Sequence, residues 1–231
     1  MAKSKTLTKA IIFITFIVPS LIFAFLYLGT EQVFEDFPYE YHLIQKGDTV
    51  FHTYPSFSFQ DLDGNILQPE DLKEKICIVS FFSVHDDSMK RTTVLNGNLR
   101  RVYDNIEWEK NPPFRFIAVN MGDSLPDILA YEKDLEIDRK HWTIVRGSQE
   151  DIYRLATQGF VMDEFARKRP GDPPFTAQTI AFVDKDGYVR RYFVATDLGQ
   201  ERKMQEDLIA ILRLVYPEEI ERMRLRPQEK S

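Results

Sequence analysis

The stretch VSFFSVHDDSMKR, Val79–Arg91, decides the fold. Its first half, extended backwards through Ile76-Cys77-Ile78, is a near-continuous apolar run of strand length. Such a run marks a strand buried on both faces, in a parallel or mixed sheet. It stops at His85, Asp86, Asp87 and Ser88, after which Val94, Leu95, Leu99, Val102 and Ile106 recur at intervals of three and four. That is the period of one helical face. In many exported domains the turn between such a strand and helix carries thiols; here it carries charge.

Working outward, the same alternation of elements repeats. PSFSFQDLDGNIL places Phe57 and Phe59 on one face of a strand and turns at Asp63-Gly64, a strong hairpin signal. FRFIAVNM, Phe114–Met121, predicts a second buried strand, and LPDILAYEKDLEI a short helix with Pro126 early, where proline is allowed. HWTIVRG predicts a strand that begins at His141-Trp142, and SQEDIYRLATQGF a helix capped by Ser148 with Asp151 three positions on. DEFARKRPGDPPF is a charged, proline-rich loop whose Arg167, Lys168 and Arg169 are either a partner-binding spot or a solvated run. TIAFVDKDGYVRRYF is a hairpin about Lys185-Asp186-Gly187, and QERKMQEDLIAILRLVY an amphipathic final helix stopped at Pro217. Helices alternating with strands in this way imply an α/β fold, one central sheet with helices on both faces.

Ahead of this domain, Ala10–Gly29 holds no charged residue in 20 positions. A helix of that length spans roughly 30 Å, the hydrocarbon thickness of a bilayer. A cleaved signal peptide is the competing reading, but its apolar core is shorter and no small-x-small pattern follows here. We expect a retained transmembrane helix, kinked at Pro19. Lys3, Lys5 and Lys9 precede it and Glu31, Glu35 and Asp36 follow it. The positive-inside rule therefore places the amino terminus in the cytoplasm and the domain outside the cell (inner) membrane, as a single-pass protein. The expected organisation is a basic N-terminus at 1–9, the anchor at 10–29 and an aromatic-rich juxtamembrane segment at 30–50. One domain follows at 51–217, then a frayed, charged tail at 218–231.

Charge and cysteine content exclude whole classes of function. Setting the three amino-terminal lysines aside from the net charge of −6 leaves −9 on the remainder. A domain that acidic, with no basic stripe among its aromatics, is not expected to bind nucleic acid. Cys77 is the single cysteine, so no intramolecular disulfide can form, structural or catalytic. It lies within the apolar strand, where a thiol behaves as an inert small hydrophobe.

The order of these segments resembles the SCO/SenC family, membrane-anchored, thioredoxin-like proteins that deliver copper to cytochrome c oxidase. The likeness runs from Tyr54 to Tyr216 and rests on FSFQDLDGNIL followed by DLKEKICIVSFFSVH, on FIAVNMG, on HWTIVRGSQEDIYRLA and on AFVDKDGYV. It implies a thioredoxin-like (SCO-type) mixed sheet and a setting in respiratory-oxidase assembly. The family's chemistry lies in a Cys-x-x-x-Cys pair at the strand-to-helix turn and in a distant histidine. By this resemblance His85 matches a histidine that often precedes the first cysteine. The two cysteine positions fall on Asp86 and Lys90, and the ligand histidine on Thr176. Copper(I) selects thiolate, thioether and imidazole, and thiol–disulfide exchange requires a thiolate. A carboxylate, an ammonium and a hydroxyl supply neither.

We therefore expect no cofactor and no enzymatic activity, and a binding or assembly module with a membrane-protein partner, such as an oxidase subunit. The rival readings are an altered metal or acid–base site at His85, Asp86 and Asp87, and a family-type copper or thiol role retained through partners. A peroxidase-like relative fails for want of a nucleophilic cysteine. Asp86, Asp87 and Ser88 also suit a plain helix start, since Asp and Ser cap well and acids complement the first-turn dipole. His42 and His52 lie near the membrane segment, and with His85 they show no ligand-pair spacing.

Overall fold

The computed structural model describes residues 13–21, 41–43, 49–86, 89–104, 114–136, 139, 141–196, 202–204, 206, 207 and 210. The chain divides into two compact units, Met1–Asp36 and Phe37–Ser231. In the first, Phe13–Ile17 is a π-helical turn and residues 18–21 continue as α-helix. Among the described residues no helix is long and apolar enough to cross a membrane. Most of the apolar segment 10–29, and the whole of the tail 218–231, lie outside the described residues.

The second unit is built on a seven-stranded mixed sheet. Its strands are β3 (Phe59–Asp61), β4 (Ile66–Leu67), β5 (Ile76–Phe82), β6 (Phe114–Asn120), β7 (Trp142–Arg146), β8 (Thr179–Val183) and β9 (Val189–Val194), in the order β4-β3-β7-β6-β5-β8-β9. β5, β6 and β7 run parallel, while β8 runs antiparallel to β5. All seven residues of β5 are buried, which is what its unbroken apolar sequence requires. Its side chains alternate between two cores. Cys77, Val79 and Phe81 enter one, with Ile117 and Val119 of β6 and Ala181 and Val183 of β8. Ile76, Ile78 and Phe82 enter the other, with Phe116, Ala118, Ile180 and Phe182.

Helices cover both faces, as the alternating pattern predicts. α1 (Met89–Asp104) inserts Leu95, Leu99 and Val102 into the second core, and α2 (Leu125–Leu135) adds Ile128 to it. α3 (Gln149–Arg154) covers the first core with Ile152 and Tyr153. Its cap is the expected one, the Ser148 hydroxyl accepting the Asp151 N–H at 3.1 Å. The helix then widens into a π turn at Leu155–Gly159, which the helical periodicity of the sequence does not disclose. Both foreseen hairpins form, with Gly64 at φ 91° and Gly187 at φ 86° taking the left-handed positions that favour glycine.

One element departs from the sequence reading. Residues 30–50 are expected as a segment leading out of the membrane, yet β1 (Tyr41–Leu43) pairs antiparallel with β2 (Thr49–Phe51). Strands of three residues are too short to leave a periodic signal. Beyond β2, His52 is buried with its Nδ1 2.8 Å from the Tyr192 hydroxyl. The Tyr192 O–H is itself donated to the Phe160 carbonyl, so His52 is the donor of that pair. His52 is a core group, not a ligand partner of His85. His141 is likewise buried, with Nδ1 3.3 Å from Arg115 Nη1. Of the foreseen last helix, residues 202–204, 206, 207 and 210 are described, and all are helical.

Candidate functional site

The carboxyl ends of β5 and β6 meet the loop that leads into β8. Ligands of open α/β sheets bind at such strand ends. Asp86, at the turn after β5, and Thr176, ninety positions away, are in direct contact, the Thr176 N–H donating to Asp86 Oδ2 at 2.8 Å. Both are buried, Asp86 at 7% exposure and Thr176 at 0%. Two positions singled out by family resemblance are therefore in contact. Lys90 stands in the first turn of α1, and its side chain lies outside the described residues, as does Asp87 altogether.

The Thr176 hydroxyl belongs to a closed hydrogen-bond ring. The Ser83 N–H donates to Thr176 Oγ1 at 3.1 Å. Thr176 Oγ1 lies 2.5 Å from Thr92 Oγ1, and the Thr92 hydroxyl donates to the Ser83 carbonyl at 2.9 Å. Thr176 Oγ1 also lies 3.3 Å from the Ser83 carbonyl, so either threonine hydroxyl can donate to that carbonyl while the other donates across the pair, and the backbone N–H and C=O of Ser83 are both satisfied. Arg91 Nη1 donates to the Thr176 carbonyl at 3.3 Å.

Beside the ring sits Asp123, on the loop between β6 and α2. Its Oδ1 accepts the Ser83 hydroxyl at 2.8 Å, and its Oδ2 accepts the Val84 N–H at 2.8 Å and the Asn120 amide at 2.6 Å. Asn120 Oδ1 in turn accepts the Gly122 and Asp123 N–H groups at 3.0 and 2.8 Å, folding the loop back on itself. Sequence reasoning passed over Ser83, Thr92, Asn120 and Asp123. The available signal was the Asn-Met-Gly-Asp turn directly after a buried strand, since Asn and Asp bond to nearby backbone in such turns.

His85 faces away from all of this. Its Nε2 is 3.0 Å from Asp127 Oδ2, and its side chain is 64% exposed. The Asp127 hydrogen bond raises the His85 pKa above its ordinary value. Asp127 is lowered, first by the Ser124 hydroxyl and then by His85. His85 and Asp86 thus diverge, one towards α2 in solvent and the other into the interior. Cys77 is buried within β5, and burial pushes its thiol up to about 11.

These strands and helices compose a thioredoxin-like fold of the SCO/SenC type. No family model matches the chain, and no curated protein does. Solved structures do match it. A SCO1/SenC family lipoprotein from Bacillus anthracis str. Ames superposes with a TM-score of 0.58 at 17% identity, over 70% of this chain and 96% of that one. BsSco, a protein in which a disulfide switch has been identified and a member of the Sco family of cytochrome c oxidase assembly proteins, matches with a TM-score of 0.57 at 18% identity, over 72% and 97%. Arabidopsis thaliana ScoI with copper bound matches with a TM-score of 0.53 at 13% identity, over 70% and 99%.

The groups at the two described positions matched to the family's ligands do not fit copper(I). Asp86 offers a hard carboxylate with one oxygen already engaged, and the Thr176 hydroxyl is a neutral oxygen held inside the ring. Neither is a soft ligand. Among the described residues no three His, Cys, Asp or Glu side chains gather as a metal-binding group.

Proposed function

We propose that this chain is a membrane-anchored binding or assembly factor whose extracytoplasmic domain keeps the SCO/SenC-type scaffold without copper transfer or thiol redox turnover. The observation that carries this reading is the ring through Ser83, Thr92 and Thr176. The position matched to the ligand histidine spends its side chain fastening the turn. A site engaged in holding itself together leaves binding to its outer surface. The anchor is the apolar segment 10–29, with the amino terminus in the cytoplasm, as the flanking charges favour. The proposed setting is cytochrome c oxidase biogenesis, supported by the structural likeness to a Sco-family assembly protein.

The test is a titration of the full chain, in detergent, with copper(I), copper(II) and zinc. Our reading expects no tight one-to-one binding. The triple variant Asp86→Cys, Lys90→Cys, Thr176→His, which restores the family's ligand pattern, is expected to gain copper(I). Tight copper binding by the unaltered chain overturns the proposal. Capture from solubilised membranes, scored for oxidase subunits, tests the setting: a set of partners holding no oxidase component removes it.

A further inference from the structure

The segment that enters the domain is fastened to one end of the central sheet. The Val189 N–H donates to the His52 carbonyl at 2.8 Å, and the Thr53 hydroxyl donates to the Gly187 carbonyl at 2.7 Å. Thr53 bridges Tyr188, and the Phe51 ring meets the Tyr188 ring edge-on at 5.8 Å. All of these partners belong to the β8–β9 hairpin. That hairpin turns beside the amino end of β5, where Val183 pairs with Cys77 and the Glu74 N–H donates to the Lys185 carbonyl at 3.0 Å. Asp86 and Thr176 lie past the carboxyl end of β5, a strand of seven residues and roughly 20 Å long.

β1 and β2, which lead into this fastening, form a sheet of their own. A two-stranded ribbon is only marginally stable in water unless something packs on it. All three residues of β2 are exposed, Val50 at 36% and Phe51 at 43%, and none of them enters either core. Successive side chains of a strand point to opposite faces. Phe51 is turned towards Tyr188, so Val50 is turned away from the hairpin. The ribbon therefore carries aliphatic surface outwards. The sequence ahead of it says what covers that surface. Phe34, Phe37, Tyr39 and Tyr41 follow one another there, and aromatic side chains collect at the headgroup level of bilayers. Residues 30–40, fully extended, reach roughly 40 Å at most, so a bilayer left at Gly29 lies within that distance of β1.

We propose that the β1–β2 ribbon and the β8–β9 turn are the membrane-facing end of this domain, with the ribbon lying against the lipid headgroups. The inference rests on the anchor proposed above and adds an orientation to it. The turn at Asp86 and Thr176 then faces away from the bilayer, and a partner meets that turn through a part that stands clear of the membrane surface.

The experiment uses the full chain in phosphatidylcholine vesicles, spin-labelled at one introduced cysteine. Val50→Cys and Asp186→Cys report on the proposed membrane end, and Ile66→Cys on the opposite one. Cys77 is buried and does not compete for the label. Ile66 is 55% exposed, and it pairs with Gln60, which pairs with Arg146 at the carboxyl end of β7. The label at 50 is expected to collide more often with oxygen, which dissolves in lipid, than with an aqueous nickel chelate, and the label at 66 the reverse. Gadolinium chelated to lipid headgroups is expected to broaden the label at 186 more than the label at 66, which keeps the test valid if Val50→Cys misfolds. Flotation with the vesicles separates the two levels of the proposal. A chain that does not float overturns the anchor and this orientation with it. A chain that floats with position 50 facing water, or with positions 186 and 66 broadened alike, overturns the orientation alone. A label at 50 shielded from oxygen and nickel together shows a second copy on the ribbon, and also overturns the lipid contact.

Discussion

The two ends of the central sheet bury aspartates in opposite ways. At the hairpin end, Asp184 is paired with a charge: its Oδ2 accepts from Arg190 Nη1 at 3.1 Å, while its Oδ1 accepts the Asp186 and Tyr188 N–H groups, each at 3.0 Å. At the site end, the bonds to Asp123 come from a hydroxyl, a peptide N–H and an amide, all neutral. The first arrangement is an ion pair that closes a tight turn. The second is a mesh of dipoles that ties three segments of chain together. A fold can therefore keep a carboxylate inside by neutralising it or by solvating it with its own polar groups, and this domain does both across one sheet.

The largest effect should come from breaking the charged end. Asp184→Ala removes the carboxylate paired with the buried Arg190 guanidinium and frees two turn N–H groups. Loss of one member of a buried pair costs about 3–5 kcal/mol. Denaturant unfolding should show a fall of that size, and a loss below about 1 kcal/mol would mean that the pair is solvated after all. Next in size is the ring. Thr176→Val keeps the shape but removes the hydroxyl, leaving the Ser83 N–H without its acceptor, at about 1–3 kcal/mol. Thr92→Val should cost a similar amount. The double variant should cost less than the sum, because the two side chains share one network.

The smallest effect belongs to the exposed pair at the same end. The His85 pKa is raised by Asp127, so the pair's contribution is fully present below the ordinary histidine value and is lost as pH rises through the folded midpoint. The Asp127 pKa is lowered, so its share is present above the ordinary carboxylate value and is lost as pH falls through its own folded midpoint. A proton NMR titration should place the His85 midpoint above that of the Asp127→Asn variant. Coincident midpoints would show that the contact does not persist in solution.

Much of this scaffold is written locally. The seven buried residues of β5, the Ser148 cap and the two glycine hairpins each follow from a short window of sequence. The pairing of Asp86 with Thr176 is not local, and family likeness, not periodicity, brought those positions together. The ring and the Asp123 mesh were illegible for a further reason. Ser83 and Thr92 are common residue types with no spacing signature, and their roles depend on which of several hydroxyls finds which peptide group after three segments have docked.

The closed ring also bears on how an encounter with a partner would proceed. Ser83 has both its amide and its carbonyl fastened, and His85 N–H is tethered to the Ser83 hydroxyl at 3.1 Å. A protein docking against this turn meets backbone whose freedom was surrendered during folding, so little ordering entropy is lost on this side when the complex forms. Were the proposed partner to dock at that end of the domain, it would meet a rigid template, and whatever adapts would belong to the other molecule.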